Sequence, residues 1–172
     1  MKKLISEKIA RIIKNRRVLE KELNVKITNS GKEVTIDGDS VDEYIAEKVM
    51  DALNLGFPLS IALLIKEEDF TFEVLNMRDF TKKKDFSRIR ARIIGKEGKT
   101  IRTLSNLTDC NFEILDKEIG IIGDAEKIEP ARQSMISLIQ GGKQANVYAY
   151  LEKHHPLPIF DLGLKETKKR KK

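Results

Sequence analysis

The chain has 172 residues, 40% apolar and 35% charged, with a net charge of +6. This is enough apolar material for the core of one domain or two small ones, and it argues against wholesale disorder. The longest apolar run, residues 59–65, is far too short to cross a bilayer, and a single cysteine, Cys110, rules out an internal disulfide and a thiolate metal cluster.

The N-terminus starts basic with Lys2 and Lys3 but reaches Glu7, Lys8 and Arg11 without an apolar h-region. No secretory signal is read there, and the expectation is a cytoplasmic protein with no membrane partner. Charge is unevenly placed. Residues 1–77 carry a net of −2 and residues 78–172 a net of +8, of which 82–102 alone supply +7. A charge so concentrated is the footprint expected of a polyanion site. The basic run Lys168 to Lys172 reads as a solvated tail.

In chain order, Ser30-Gly31-Lys32 turns between strands expected at 25–29 and 33–37. Ser40 with Glu43 reads as a capping box for a helix burying Ile45, Val49, Ala52 and Leu53. Gly56 and Pro58 end it, and a short apolar helix follows at 59–65. A strand is expected at 70–75, then a helix at 85–94 with Phe86, Ile89 and Ile93 on one side. Residues 95–98 break it, and a second helix at 99–108 turns Ile101, Leu104 and Leu107 inward. Strands at 110–115 and 119–122 flank the turn Asp116-Lys117. Asp124 opens a long helix closed by Gly141-Gly142, in which Pro130 predicts an irregular first turn or a kink. A last helix lies near 146–151.

The chain repeats itself. Ala10-Arg11-Ile12-Ile13 recurs as Ala91-Arg92-Ile93-Ile94, and Lys32-Glu33-Val34-Thr35-Ile36-Asp37-Gly38-Asp39 recurs as Lys117-Glu118-Ile119-Gly120-Ile121-Ile122-Gly123-Asp124. The offset grows by four between these matches. The second copy therefore holds four residues that the first lacks, and directly after the shared Ala-Arg-Ile-Ile they are Gly95-Lys96-Glu97-Gly98. The repeated unit reads as strand–helix–loop–helix–strand–strand–helix, an α+β fold with helices on one face of a three-stranded antiparallel sheet and an extra helix after each copy.

That order, with a Gly-x-x-Gly loop between the first two helices, resembles the KH module, whose loop clamps the backbone of about four nucleotides. Gly95 and Gly98 carry no Cβ, so a sugar–phosphate chain can approach the main chain. The helix beginning near Lys99 offers unpaired N–H groups to a phosphate. Lys96, Lys99 and Arg102 add charge, and Arg88, Arg90 and Arg92 extend it along the preceding helix. Ile93, Ile94 and Ile114 are read as an apolar floor for bases, and Glu97 as a carboxylate that weakens but does not abolish binding. In the first copy Ile13 runs straight into Lys14-Asn15-Arg16-Arg17, with no glycine left. That copy is expected to be a packing partner, with a protein-docking surface or a secondary basic contact as its other readings. The expected division is a degenerate module at 1–68, an intact one at 69–160 and a basic tail at 161–172.

Enzyme readings fare poorly. Gly98-Lys99-Thr100 looks like the end of a P-loop, but that motif needs a glycine where Ile93 stands. His154 and His155 are adjacent on a helix and do not face each other. Neither a metal nor a cofactor is expected.

A longer resemblance spans about residues 5–155. Asn54-Leu55-Gly56-Phe57 before an apolar helix, Phe72-Glu73-Val74-Leu75-Asn76-Met77-Arg78-Asp79-Phe80, Ala91 through Thr100, Ile121-Ile122-Gly123-Asp124 and Val147-Tyr148-Ala149-Tyr150-Leu151-Glu152 carry it. The sequence is similar to archaeal partner-of-Nob-type proteins, small-subunit ribosome assembly factors related to the KRR component of the processome. The resemblance implies binding to single-stranded small-subunit rRNA near its 3′ end, and contact with the nuclease that matures that end or with other assembly factors. Two other classes stay open at this point, a protein-docking scaffold and an exosome-type RNA-recruiting subunit.

Overall fold

A computed structural model describes residues 1–155. The expected basic tail, residues 161–172, lies outside the described residues. The first half runs β1 (Lys2–Ile5), α1 (Ile9–Leu23), β2 (Lys26–Ser30), β3 (Glu33–Asp37), α2 (Ser40–Leu55) and α3 (Leu59–Ala62), followed by one 3-10 turn. The second runs β4 (Phe70–Asn76), α4 (Phe86–Ile94), α5 (Lys99–Thr108), β5 (Asn111–Leu115), β6 (Glu118–Asp124), α6 (Ala125–Gln140) and α7 (Gln144–His154). Each half thus builds an antiparallel three-stranded sheet, ordered β1-β3-β2 and β4-β6-β5. The architecture is α+β and KH-like.

The two halves differ where the repeat offset changes. In the second, α4 and α5 are separate helices with Gly95 to Gly98 between them. In the first, α1 passes through the corresponding point as one helix of 15 residues, because no residue of the 14–17 stretch requires a break. It ends at Asn24 in the left-handed conformation, one of the few residue types that tolerates it.

The sheets also differ in what covers them. On β3, Val34 and Ile36 face the helices, whereas Thr35 and its cross-strand neighbour Thr28 face outward. On β6 every residue from Ile119 to Gly123 is buried, the pattern of a strand covered on both faces. Ile119 and Ile121 point to α4, α5 and α6 in one core. Ile122, with Phe70, Phe72 and Leu115, belongs to the core of the first half. Gly120 is the contact point. A Cβ there would lie 2.6 Å from a Phe57 ring carbon and 2.9 Å from Leu55 Cδ1. Phe57 itself is fully buried and meets Phe72 edge-to-face, with ring centroids 6.2 Å apart.

Two expected local features change. Asp39, not Ser40, precedes α2, and the Glu43 carboxylate accepts from Gly38 N–H (3.1 Å) and the N-terminal ammonium (2.5 Å). Helix α6 runs without interruption through Pro130. The N–H that proline lacks would have bonded Glu126 in the exposed first turn, where the carbonyl is open to solvent, so the expected irregularity does not develop. Among the described residues no helix is long and apolar enough to cross a membrane, and no group of His, Cys, Asp or Glu side chains is arranged to hold a metal ion.

Candidate nucleic-acid interface

Helix α4 is started by Asp85, whose carboxylate accepts from Arg88 N–H at 3.1 Å. Its apolar stripe, Ile89 and Ile93, sinks into the core, leaving Arg88 exposed. The helix ends at Gly95, which donates to Ala91 O at 2.9 Å and adopts φ +74°. The loop then makes one tight turn, with Gly98 N–H donating to Gly95 O at 3.2 Å. Glu97 (φ +55°) and Gly98 (φ +72°) are both left-handed.

The two glycines serve different ends. A Cβ on Gly95 would overlap the Thr100 side chain, lying 2.7 Å from its Cβ and 2.9 Å from its backbone N. Gly95 is therefore demanded by packing under the loop. A Cβ on Gly98 would meet only Arg102 Nε, at 4.0 Å, so Gly98 is demanded by its backbone conformation and leaves that surface open.

No side chain caps the first turn of α5, whose cap position is Gly98. Lys96, Glu97 and Lys99 are exposed around it. With Arg102, Thr103 and Asn106 they line an open concavity of about 520 Å³. The site thus presents a helix start with no side-chain cap, two lysine ammoniums and a glycine surface to one open hollow, the chemistry that receives a phosphate. Glu97 shares that hollow. Arg102 is held differently from a free cation. Its guanidinium donates to Glu97 O (2.5 Å) and Gly98 O (3.4 Å), so it braces the loop from below.

The remaining expected residues divide. Arg92 turns away from the loop and donates to Gly142 O. Ile93 is fully buried and is part of the core, not a surface floor for bases; its spacing of four from Ile89 puts both on the packed side of α4. Ile114 is half-buried against the same core. Ile94 is the most exposed of the three isoleucines, at 36%.

Sequence reasoning missed Gln144. Its carboxamide, at the start of α7, donates to Thr100 Oγ1 (3.1 Å) and to Arg92 O (3.3 Å). The turn at 141–144 therefore fixes the end of α4 and the start of α5 from beneath. No local signal announces this, since the partners lie 44 and 52 residues apart.

Residues 71–156 match the model of a eukaryotic-type KH domain, KH type I, specifically that of the second KH domain of PNO1 proteins. The chain belongs to the PNO1-type KH family. A KH domain-containing protein of Methanocaldococcus jannaschii is 30% identical over 145 residues, covering 80% of this chain and 64% of that one. The pre-rRNA-processing protein PNO1 of Saccharomyces cerevisiae is 39% identical over 104 residues, covering 58% and 38%. The chain thus spans less than two thirds of the length of these curated relatives. Among solved structures, Dim2p of Pyrococcus horikoshii superimposes with a TM-score of 0.81 at 26% identity, covering 88% of this chain and 98% of that one. The same organism's a/eIF2alpha-aDim2p-rRNA complex gives 0.82 at 26%, covering 90% and 93%. Helices α4 to α7, with the loop between α4 and α5, fall within the matched residues.

Proposed function

We propose that this chain is a single-stranded-RNA-binding ribosome assembly protein without catalysis of its own, acting in pre-rRNA maturation on small-subunit rRNA near its 3′ end. The observation that carries the reading is the loop: Gly98 bare toward solvent, an uncapped helix start, and Lys96 and Lys99 exposed beside both. Support comes from the P. horikoshii a/eIF2alpha-aDim2p-rRNA complex and from relatives named for pre-rRNA processing.

In this reading the chain is two tandem KH modules. Residues 69–160 clamp RNA. Residues 1–68 are a degenerate module whose continuous α1 leaves no loop to clamp with, and which serves as a packing partner. The pre-rRNA maturation nuclease or other assembly factors are its protein partners, and its place of work is the cytoplasm.

The test is fluorescence anisotropy with a labelled single-stranded RNA from the 3′ end of small-subunit rRNA, across a salt series. Wild type is compared with Lys96→Asp, with residues after Thr167 removed from both. Binding by wild type and loss of most affinity in a folded variant support the clamp. Equal binding by both, or by neither, removes the loop as the RNA site and favours a docking scaffold.

A further inference from the structure

Helix α1 runs unbroken through the point where the second half opens into its loop, and one side of it is uncovered. Ile12, Leu19 and Leu23 sink into the core. Ala10, Ile13, Lys14, Arg17, Val18 and Lys21 are all exposed. They recur at i, i+3, i+4, i+7, i+8 and i+11, which is a single stripe down the helix. Both carboxylates of α1 lie off that stripe and are engaged by other cations, Glu20 by Arg16 and Glu22 by Lys66. Among the described residues Lys14, Arg17 and Lys21 have no salt-bridge partner. Residues 1–77 carry a net of −2, so three unpaired cations in one row stand against the charge of their surroundings.

We propose that this stripe is a second RNA contact, a phosphate track that receives the strand after it leaves the clamp. The proposal rests on the reading of the loop as an RNA clamp, and gives the half that lacks a loop a part in binding beyond packing.

The place of the stripe in the repeat argues for the same ligand. Ile13 holds the repeat position of Ile94, which stands beside the loop, and the two are 48% and 36% exposed. Lys14 follows where the second copy turns into Gly95. A loop that closes around a backbone is replaced there by a straight helix that lies along one.

Spacing argues for phosphates. Lys14 and Lys21 are seven residues apart, about 10 Å along the helix. A stacked strand carries one charge per about 3.4 Å, so three cations meet about three phosphates.

Continuity argues for one strand. A cleft of about 210 Å³ lies between α5 and the first half, and Arg102 lines both it and the hollow at the loop. Phe57 and Glu113 line its far side. The Arg11 guanidinium donates to Phe57 O at 3.5 Å. A Cβ on Gly56 would lie 3.6 Å from both Glu113 Oε2 and Lys8 Nζ. The start of α1 therefore sits against this cleft, and Lys14 stands one turn beyond Arg11. An acidic protein segment would satisfy the same cations, but a strand already held at the loop reaches them at high effective concentration.

The experiment uses the full chain and fluorescein-labelled single-stranded RNAs from the 3′ end of small-subunit rRNA. One is about five nucleotides long, near the reach of a clamp, and one about fifteen. The stripe variant carries Lys14→Gln, Arg17→Gln and Lys21→Gln. A charge control carries Lys3→Gln, Lys26→Gln and Lys32→Gln, away from the stripe. Both are compared with wild type and Lys96→Asp by anisotropy from about 50 to 200 mM salt, after a thermal melt shows each is folded. On the long RNA the salt slope of the stripe variant should be lower than wild type by about 2, three contacts at about 0.7 each. Across that fourfold rise in salt, wild type should then lose about twentyfold more affinity than the stripe variant. On the short RNA the two should match, and the charge control should keep the wild-type slope on both. A wild-type slope in the stripe variant on the long RNA, with Lys96→Asp still losing the short one, would overturn the track and leave the clamp standing, with the stripe open to an acidic protein. Equal flattening by the charge control would also overturn the track, by showing that net charge alone sets the slope. No binding by wild type would overturn both.

Discussion

Gln144 reaches Thr100 across 44 residues of sequence, its carboxamide 3.1 Å from the threonine hydroxyl beneath the loop. Thr100 is in turn the side chain that leaves no room for a Cβ on Gly95. The loop is therefore held by a bracket on α7, and Gln144→Ala removes the bracket without touching a residue that faces the hollow. We expect a stability loss of about 1 kcal/mol, the worth of a typical buried hydrogen bond. We also expect a several-fold fall in RNA affinity, from a loop no longer pre-ordered. Urea denaturation and anisotropy check the pair, and unchanged affinity would mean that the loop orders itself.

The two glycines should respond unequally to alanine. Gly98→Ala meets open space and costs only backbone strain, about 1 kcal/mol. Gly95→Ala adds collision with Thr100 to the same strain, for a total of about 2–4 kcal/mol. Denaturant midpoints rank them, and the reverse order would contradict the geometry of the loop.

Salt dependence reports how many lysines meet phosphate. For single strands the slope of log affinity against log salt is about 0.7 per phosphate contact. Lys96→Ala and Lys99→Ala should each flatten the slope by about that amount. Arg92→Ala should not, because its guanidinium is turned to Gly142 O, away from the loop.

Cys110 gives a pH-dependent signature. The thiol is buried against Gly123, and burial pushes its pKa from 9.0 up to about 11. Below pH 9 both folded and unfolded forms hold the proton, so stability is unaffected by this group. Between about 9 and 11 the unfolded chain loses it while the folded chain keeps it, and stability falls as pH rises. Replacing Cys110 with Ala should flatten that part of the curve, followed by thermal melts across the range. A thiol reagent at pH 8 should label the native protein only at the rate of unfolding.

The loop was legible in the sequence because it rests on local signals: two glycines, a break between amphipathic stretches, and a gap in a repeat. Most helix and strand positions followed from periodicity for the same reason. The hydrogen bond of Arg92 was not legible, because its partner, Gly142 O, comes from 50 residues away and nothing near Arg92 points to it. Ile93 was misread although the information was present: its four-residue spacing from Ile89 places both on the buried side of α4. The burial of β6 on both faces was also visible, in the unbroken run Ile119-Gly120-Ile121-Ile122-Gly123. What covers the second face was not, since Leu55 and Phe57 are distant in the chain.

Phe57 seated on Gly120 makes the two repeats unequal parts. The outer face of the first sheet is threonine-lined and open, and the centre of the second sheet's outer face is covered by a plug that the first half delivers. Their order along the chain has become fixed by that plug. A circular permutant that placed the second repeat ahead of the first would keep every strand and helix, yet would sever the tether that carries Leu55 and Phe57 to their seat. Duplicated units of this kind stop being interchangeable once a single residue of one becomes the lid of the other.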